Sequence, residues 1–593
     1  METYNTLILS FYRALKEDVQ SLLPESDLEE DWKILLDEFT SYEGVQHLCR
    51  LGKEMEICLI TDKLLDVPSE FPRHEGSNLP ELFYELFQTI FHESGLRRYT
   101  SNSVGAKVAS ATVLVLRQIL LAFSKLEDVL PNTDPESEIR SFISRIQTAG
   151  LSAFPPSDNQ VIQVAHCLLS QYFGEWNRGE FLLGADFQQW EDNPFGRHGP
   201  GAVAGRERGV SKYQFSHISG IPEDIYFIDS ETGPMRLRGV VNAQSRACLV
   251  PKDFRGRRII CIEPKELMFA QQGLMQVMFQ RAHSWHVTRR SINFLDQRAS
   301  QIMCRQSRYS TIDLKDASDS VSLDLLRQIL PRRVFKLLTR YRSRSIETPV
   351  GVVDNYSTAF TMGNALCFPV ETIVFWALSL AAIIVCESHG SMDAMLTTHD
   401  MLADSQHANW RRFRLRVFGD DIIVPSRFYD EVCRVLTVFG MKVNTSKSCH
   451  KTPVREACGA YWYAGYDVRV VRFRTSKGKN HRSWISWADN ARALLSDGFH
   501  KASLSICEHM SHIAPVPYGC LGLPGQRDLD ASLYRYNPSL QRVEVRIPTL
   551  VGPRLRNLPG GIGLYSYFTG SATKALTHGG ASSRVKWVWT GLY

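Results

Sequence analysis

Three aspartates carry the strongest chemical signal in the chain. Asp313 closes a short β-rich run, YSTIDL, while Asp420 and Asp421 interrupt a second run in which FRLRVF alternates with period two before IIV resumes the pattern. That spacing predicts a hairpin with carboxylates at its tip, where a turn can aim an adjacent pair at one site although a plain strand would point them to opposite faces. Acids gathered in this way repel one another by roughly a few kcal/mol per close pair at an effective dielectric near 20. A cation must compensate. Hard oxygen ligands suit Mg2+ or Mn2+, and Mg2+ is usually held by one or two carboxylates plus substrate phosphates. Two such ions, about 3.5 to 4 Å apart, lower the pKa of an attacking 3′-hydroxyl and stabilise departing pyrophosphate, which is in-line phosphoryl transfer. Alone, Gly-Asp-Asp is a weak signal, since roughly one chain in ten of this length holds it by chance. Asp313 alone reads as a capping or turn residue, so the weight lies in the pairing.

Other groups fit the same chemistry. VPKDFRGRRIICIEP, with Arg246 just upstream, interleaves Lys252, Arg255, Arg257 and Arg258 with only Asp253, Glu263 following at the end of the segment. This is either a solvated basic loop or a channel for a triphosphate, which Arg forks bidentately and Lys meets as a point charge. In STAFTMGNALCFPVE, Gly363 and Asn364 stand at the entrance to an apolar helix. Asn364 is by default an N-cap, and equally its amide could bond a ribose 2′-hydroxyl with Asp319 as second partner. From Val468 to Ala488 the chain holds six Lys or Arg and no acid until Asp489, with Trp484 and Trp487 close by. Arg472, Arg474 and Lys477 are candidates for contact with an RNA backbone, the alternative being an exposed basic hairpin. The glycine-rich stretch from Asn193 to Ser211 reads as a surface loop or an RNA-facing one, carrying Arg197, His198, Arg206 and Arg208.

The elements that must position these residues follow from pattern. A chain of 593 residues is long enough for several subdomains, since single cores stop growing near roughly 250 to 300 residues. The first 150 or so look mainly helical, with LPESDLEEDWKILLDE as a capped amphipathic start. A helix is predicted from Asp319 or Ser320 to Pro331. Leu366 to Cys386 is about the length of a membrane span, but Glu371 would be costly in lipid, so a buried core helix is the better reading. Strand, helix, helix and hairpin in that order predict an α+β sheet with helices on one face. The net charge of +5 is too small to argue nucleic-acid binding globally. The acidic, apolar N-terminus lacks the marks of a signal peptide, and the 13 scattered cysteines read as reduced buried thiols, so a cytosolic chain is expected. Cys449, His450 and Cys458 lack a regular zinc-ligand spacing.

TIDLKDASDS, FTMGNALCF, RVFGDDIIVP, FGMKVNTSKS and VREACGAYWYAG occur in the order of polymerase motifs A to E. With HGPGAVA and VPKDFRGRRIICIEP, they resemble the replicase β subunit of small RNA bacteriophages, the Q-beta type, over about residues 190 to 475. The resemblance implies an RNA-dependent RNA polymerase shaped as a right hand of fingers, palm and thumb, the palm an antiparallel sheet backed by helices. Residues 1–190 would be a helical, fingers-associated region, 191–308 the fingers, 309–475 the palm with an insertion at 387–412, and 476–593 the thumb and C-terminal region. It implies Asp313, Asp420 and Asp421 as ligands of two Mg2+ ions, with Mn2+ as a substitute. Lys252, Arg257 and Arg258 would hold the triphosphate, with Gly363, Asn364 and Asp319 around the sugar. Lys447 would be a proton donor to pyrophosphate or only a structural lysine. Implied partners are RNA template and product, ribonucleoside triphosphates, host elongation factors Tu and Ts and a small-subunit ribosomal protein, in the cytoplasm of the bacterial host and without a membrane. Lys315 and Asp316 stand where small residues are expected, making Asp316 a rival acid. A reverse transcriptase would need a bulky residue where this chain has Ser318 and Asp319, which favours RNA synthesis. A non-catalytic RNA-binding subunit is disfavoured by the intact acids.

Overall fold

The computed structural model describes residues 2–98, 103–127, 134–150, 159–192, 196, 198, 201–207, 212, 218–219, 226–229, 233–236, 239–240, 243–388, 391–403, 413–475, 481–511, 534–538, 542–551 and 584–591. It divides into two units, one of residues 1–132, 251–256 and 466–593, the other of residues 133–250 and 257–465.

The second unit is built on a three-stranded antiparallel sheet in the order Arg416–Phe418, Asp421–Pro425, Tyr309–Ile312. Ile422 pairs with Ile312 and Phe418 with Asp421, so the predicted hairpin and its acidic tip are present. All four residues of Tyr309–Ile312 are buried, which explains why that run reads as continuous rather than alternating. Against the sheet lies the helix Cys367–Glu387, strongly apolar and with most of its residues buried inside the protein. It is apolar all round because protein surrounds it. A four-stranded sheet runs Gly351–Asp354, Ser345–Thr348, Gln244–Asp253, Gly256–Ile262. Ser345–Thr348 pairs parallel with Gln244–Asp253, and this mixture of helix with largely antiparallel sheet makes the unit α+β.

Two boundaries depart from expectation. The single helix up to Pro331 is instead a short turn, Ala317–Ser320, followed by Leu323–Ile329. Ser322 is the reason: its Oγ accepts from Leu325 N at 3.1 Å and starts the second helix afresh. In the other unit, Glu29–Glu38 has Leu28 at its N-cap with no side-chain bond, and the acids Glu29, Glu30 and Asp31 in its first turn face the helix dipole.

That other unit is mainly helical, with Glu2–Leu22, Tyr42–Ile60, Ser103–Leu121, His481–Ser496 and His500–Ser511. Asp18 accepts from Lys501 N and Ala502 N, both at 2.8 Å, and so joins helices from opposite ends of the sequence. Phe473 sits between Phe11 and Phe123, with ring centroids 5.1 and 5.0 Å away. Glu56 is buried among Lys53 (2.5 Å), Arg117 (2.6 Å) and Arg472 (3.5 Å). Burial alone would raise its carboxyl, but the three cations hold it well below the usual carboxylate range.

Candidate active site

Asp313 directly follows the strand Tyr309–Ile312 and is clamped from one side. Asn444 Nδ2 donates to its Oδ2 at 2.7 Å, Asn444 N donates to its carbonyl at 2.9 Å, and its own N–H reaches Ser448 Oγ at 3.1 Å. Lys447 Nζ stands 3.7 Å from Asp313 Oδ1. Asn444, Lys447 and Ser448 belong to one short segment, held because Leu314–Lys315 pairs with Lys442–Val443. Asn444 was missed in the sequence, since a neutral amide gives no charge signal. Asn444→Ala should lower nucleotide incorporation about tenfold with little change in thermal stability, because it frees the Asp313 carboxylate rather than removing it. Steady-state rates beside a melting curve would check this.

Asp420 occupies the turn itself. Gly419 takes φ +61, a conformation that favours glycine, and its N–H donates to Thr372 Oγ1 at 2.9 Å. Burial pushes the Asp420 carboxyl up, the charge of Asp313 adds to this, and Lys447 and Arg258 oppose it. Asp313 and Asp420 therefore face a common region with two cations at its edge. Asp421 behaves differently. As the first residue of the strand Asp421–Pro425 it follows the pleat, and its Oδ2 accepts from Cys458 N at 3.0 Å. Burial, then Asp420, push it up to about 7. The adjacent pair thus differs in its partners, Asp421 being tied to the Cys458 N–H while the charges of both Asp420 and Asp313 still reach its carboxyl. Beneath the turn lies Glu371, whose Oε1 would be 3.3 Å from a Cβ at Gly419, and whose carboxyl is raised by burial, then by Asp420 and Asp319.

The nucleotide-side candidates separate as well. Arg258 is near enough to Asp420 to lower it, whereas Arg257 is paired with Glu138 at 3.5 Å. Lys252 belongs to the 251–256 segment of the other unit. Asp319 is buried, which pushes it up to about 6, and Arg145 at 3.3 Å opposes this. Asp316, the rival acid, takes φ +50 and turns to the same Arg145 at 3.5 Å, away from Asp313. Arg145 and Glu138 come from the helix Pro135–Thr148, within the region read from sequence only as mainly helical. Asn364 is not the N-cap of Cys367–Glu387, a position held by Leu366. Its Oδ1 accepts from Leu366 N at 2.8 Å and its Nδ2 donates to Glu263 at 2.8 Å.

Asp313 and Asp420 offer the hard oxygens that Mg2+ prefers, and two carboxylates close enough to act on one another leave a charge that a divalent cation would neutralise. Among the described residues no three of His, Cys, Asp or Glu gather about one point.

Comparison with known proteins bears on this arrangement. The profile described as "RNA replicase, beta-chain" covers residues 230–476. Over that stretch the chain is similar to replicase β-chains. The RNA-directed RNA polymerase subunit beta of Qbeta virus (strain MX1) is 32% identical over 234 residues, 40% of this chain and 36% of that protein. The RNA-directed RNA polymerase beta chain of Escherichia phage MS2 is 31% identical over 228 residues, 37% of this chain and 36% of that one. The chain thus spans about a third of the length of these relatives. Among solved structures, the RNA-dependent RNA polymerase of a human picorbirnavirus matches with TM-score 0.40 and 11% identity, over 64% of this chain and 74% of that one.

The resemblance drawn from the motifs is borne out, over somewhat narrower bounds. The replicase β-chain stretch contains Asp313, Asp420, Asp421, Lys447, Arg258, Asp319 and Asn364, and leaves out Arg145 and Glu138. At its C-terminal edge, Arg472 is partly committed to Glu56 and Arg474 is exposed, while Lys477 lies outside the described residues. Of the 193–211 loop, His198 packs on Phe269 at 5.4 Å and Arg206 is exposed, and Arg197 and Arg208 lie outside the described residues.

Proposed function

We propose that this chain synthesises RNA on an RNA template, as the polymerase of a single-stranded RNA phage, with two Mg2+ ions, for which Mn2+ can substitute. The observation that carries this reading is the convergence of Asp313 and Asp420 at the end of one antiparallel sheet, flanked by Lys447 and Arg258. Bound there, the ions would activate the 3′-hydroxyl of the growing strand and neutralise charge on the phosphates. Asp313 and Asp420 would hold them, with Asp421 as the third proposed ligand, its Oδ2 tied to the Cys458 N–H. Asn444 keeps Asp313 aimed. Arg258 and Lys447 would meet the triphosphate, Lys447 as the proton donor to leaving pyrophosphate, with Arg257 beside Arg258 on the same strand; Lys252 is proposed for the triphosphate by family resemblance alone. Asp319 and Asn364 read the ribose, with Gly363 shaping the turn between them.

In this reading the 309–475 region is the palm, 191–308 the fingers with residues 1–190 associated, and 476–593 the thumb and C-terminal region. RNA and ribonucleoside triphosphates are the substrates, acting in the bacterial cytoplasm. Host elongation factors Tu and Ts and a small-subunit ribosomal protein are proposed partners by family resemblance. Purified chain, given an RNA template, ribonucleotides and Mg2+, should extend RNA. Preferential incorporation of deoxyribonucleotides, or binding of RNA with no extension in the presence of host extract, would overturn the reading.

Arg472, Arg474 and Lys477 are proposed to contact RNA phosphates. Neutralising Arg474 and Lys477 should weaken RNA binding severalfold and flatten its salt dependence by about one to two phosphate contacts. Filter binding at several salt concentrations checks it, and unchanged slopes would remove these residues from the RNA path. Arg472 is better left intact, since its loss also strips a cation from Glu56.

A further inference from the structure

Glu263 follows the strand Gly256–Ile262 that carries Arg257 and Arg258, and it is 1% exposed. A carboxylate so deep needs donors. It has the hydroxyl of Ser343 on Oε2 and the amide of Asn364 on Oε1 at 2.8 Å. Burial raises the Glu263 carboxyl, and these donors together with Gln271 and the nearby Arg342 oppose the rise. The surrounding turn is fastened to the same strand and to the helix Lys265–Ser284 after it: Cys261 N donates to Met362 O at 2.7 Å, and Ala365 N donates to Gln271 Oε1 at 3.2 Å.

We propose that Glu263 is a positioning residue for ribose selection, fixing which end of the Asn364 amide is spent inside the protein and which donor is left for the nucleotide. This rests on the polymerase reading above. The amide is held at both ends. Rotating it by 180° would set Oδ1 against the Glu263 carboxylate and Nδ2 against the Leu366 N–H, trading two hydrogen bonds for two repulsions. The lock does not depend on the charge of Glu263: a proton on Oε2 can pass its bond to Ser343, leaving Oε1 an acceptor. One Nδ2 hydrogen remains for a ligand. Asp319, ionised, can only accept. A ribose 2′-hydroxyl, which both donates and accepts, satisfies this pair, and a 2′-hydrogen satisfies neither.

The test measures kcat/KM for a ribonucleotide, its 2′-deoxy analogue and its 2′-fluoro analogue, using the full chain on one RNA template. Fluorine can accept from Asn364 but cannot donate to Asp319, so it isolates the Asn364 contribution. Glu263→Met, similar in volume and without an acceptor, should lower the ribo-to-deoxy ratio about tenfold, mainly through KM for the ribonucleotide, and erase any 2′-fluoro advantage over 2′-deoxy. Glu263→Gln should keep the ratio, its oxygen facing Asn364 and its amide facing Ser343. Adding Glu263→Met to Asn364→Ala should change the ratio less than twofold further. A folded Glu263→Met chain that discriminates like wild type overturns the inference. Should that variant fail to fold, Glu263→Asp, which withdraws the acceptor by one methylene, decides on the same ratio. Wild-type chain that extends no RNA would instead refute the polymerase reading itself.

Discussion

Asp420→Asn should lower nucleotide addition by about a thousandfold or more, roughly 4 kcal/mol of transition-state stabilisation. The substitution keeps the volume of the side chain and removes the charge. The fold should not suffer, because burial and Asp313 already disfavour the charged form of Asp420. A neutral side chain at 420 relieves that repulsion in the metal-free chain, so the melting temperature should stay level or rise slightly. The catalytic loss follows because the site must gather negative charge before a divalent ion will stay. Direct Mn2+ binding, followed by its paramagnetic signal, should weaken alongside the rate. Asp421→Asn should cost less, since the Asp421 carboxylate is engaged with Cys458 N. Equal losses at 420 and 421, or full activity in Asp420→Asn, would count against the assignment.

Gly363→Ala should be the most damaging small substitution near the site. Gly363 adopts φ +109, a conformation L residues rarely take, and a Cβ there would overlap the Cys261 carbonyl oxygen and lie 2.7 Å from Ile260 Cγ2. Neither obstacle is a flexible tip. Backbone strain of about 1 to 3 kcal/mol and overpacking of similar size together predict a loss of about 3 kcal/mol. The displaced turn carries Asn364, so activity should fall further than stability alone explains. Denaturant unfolding and extension assays on the same preparation would separate the two. A variant within 1 kcal/mol of wild type would mean the turn can slide along the strand.

The acids were legible because charge interrupting an alternating apolar pattern is rare and periodicity places it at a turn. The buried helix was legible from its unbroken apolar run. Residues that act through neutral hydrogen bonds were not: Asn444 and Ser448 look like any turn residues until strand pairing sets them beside Asp313. Arg145 lies 174 positions before Asp319, a distance across which no local pattern operates. Asp421 shows a different limit. Its identity was plain, but its direction depends on whether the strand begins at 421 or one residue later, and strand ends are where sequence patterns are least informative. The Ser322 cap was missed for a similar reason, since a serine inside a run of DSVSLD has several neighbours that could start a helix.

The carboxylate of Glu56 is neutralised by partners at 53, 117 and 472, and Asp18 caps a helix near residue 500. During translation, then, the first 130 residues leave the ribosome long before the chain that completes their unit, whereas residues 133–465 are all available by the time the last of these helices is made. The order of synthesis gives the sheet that carries Asp420 the chance to close first, with the early helices waiting, incompletely buried, for the late segment. Holding a helical surface open over several hundred residues of synthesis is the kind of interval in which a chaperone or a co-translational companion has time to act.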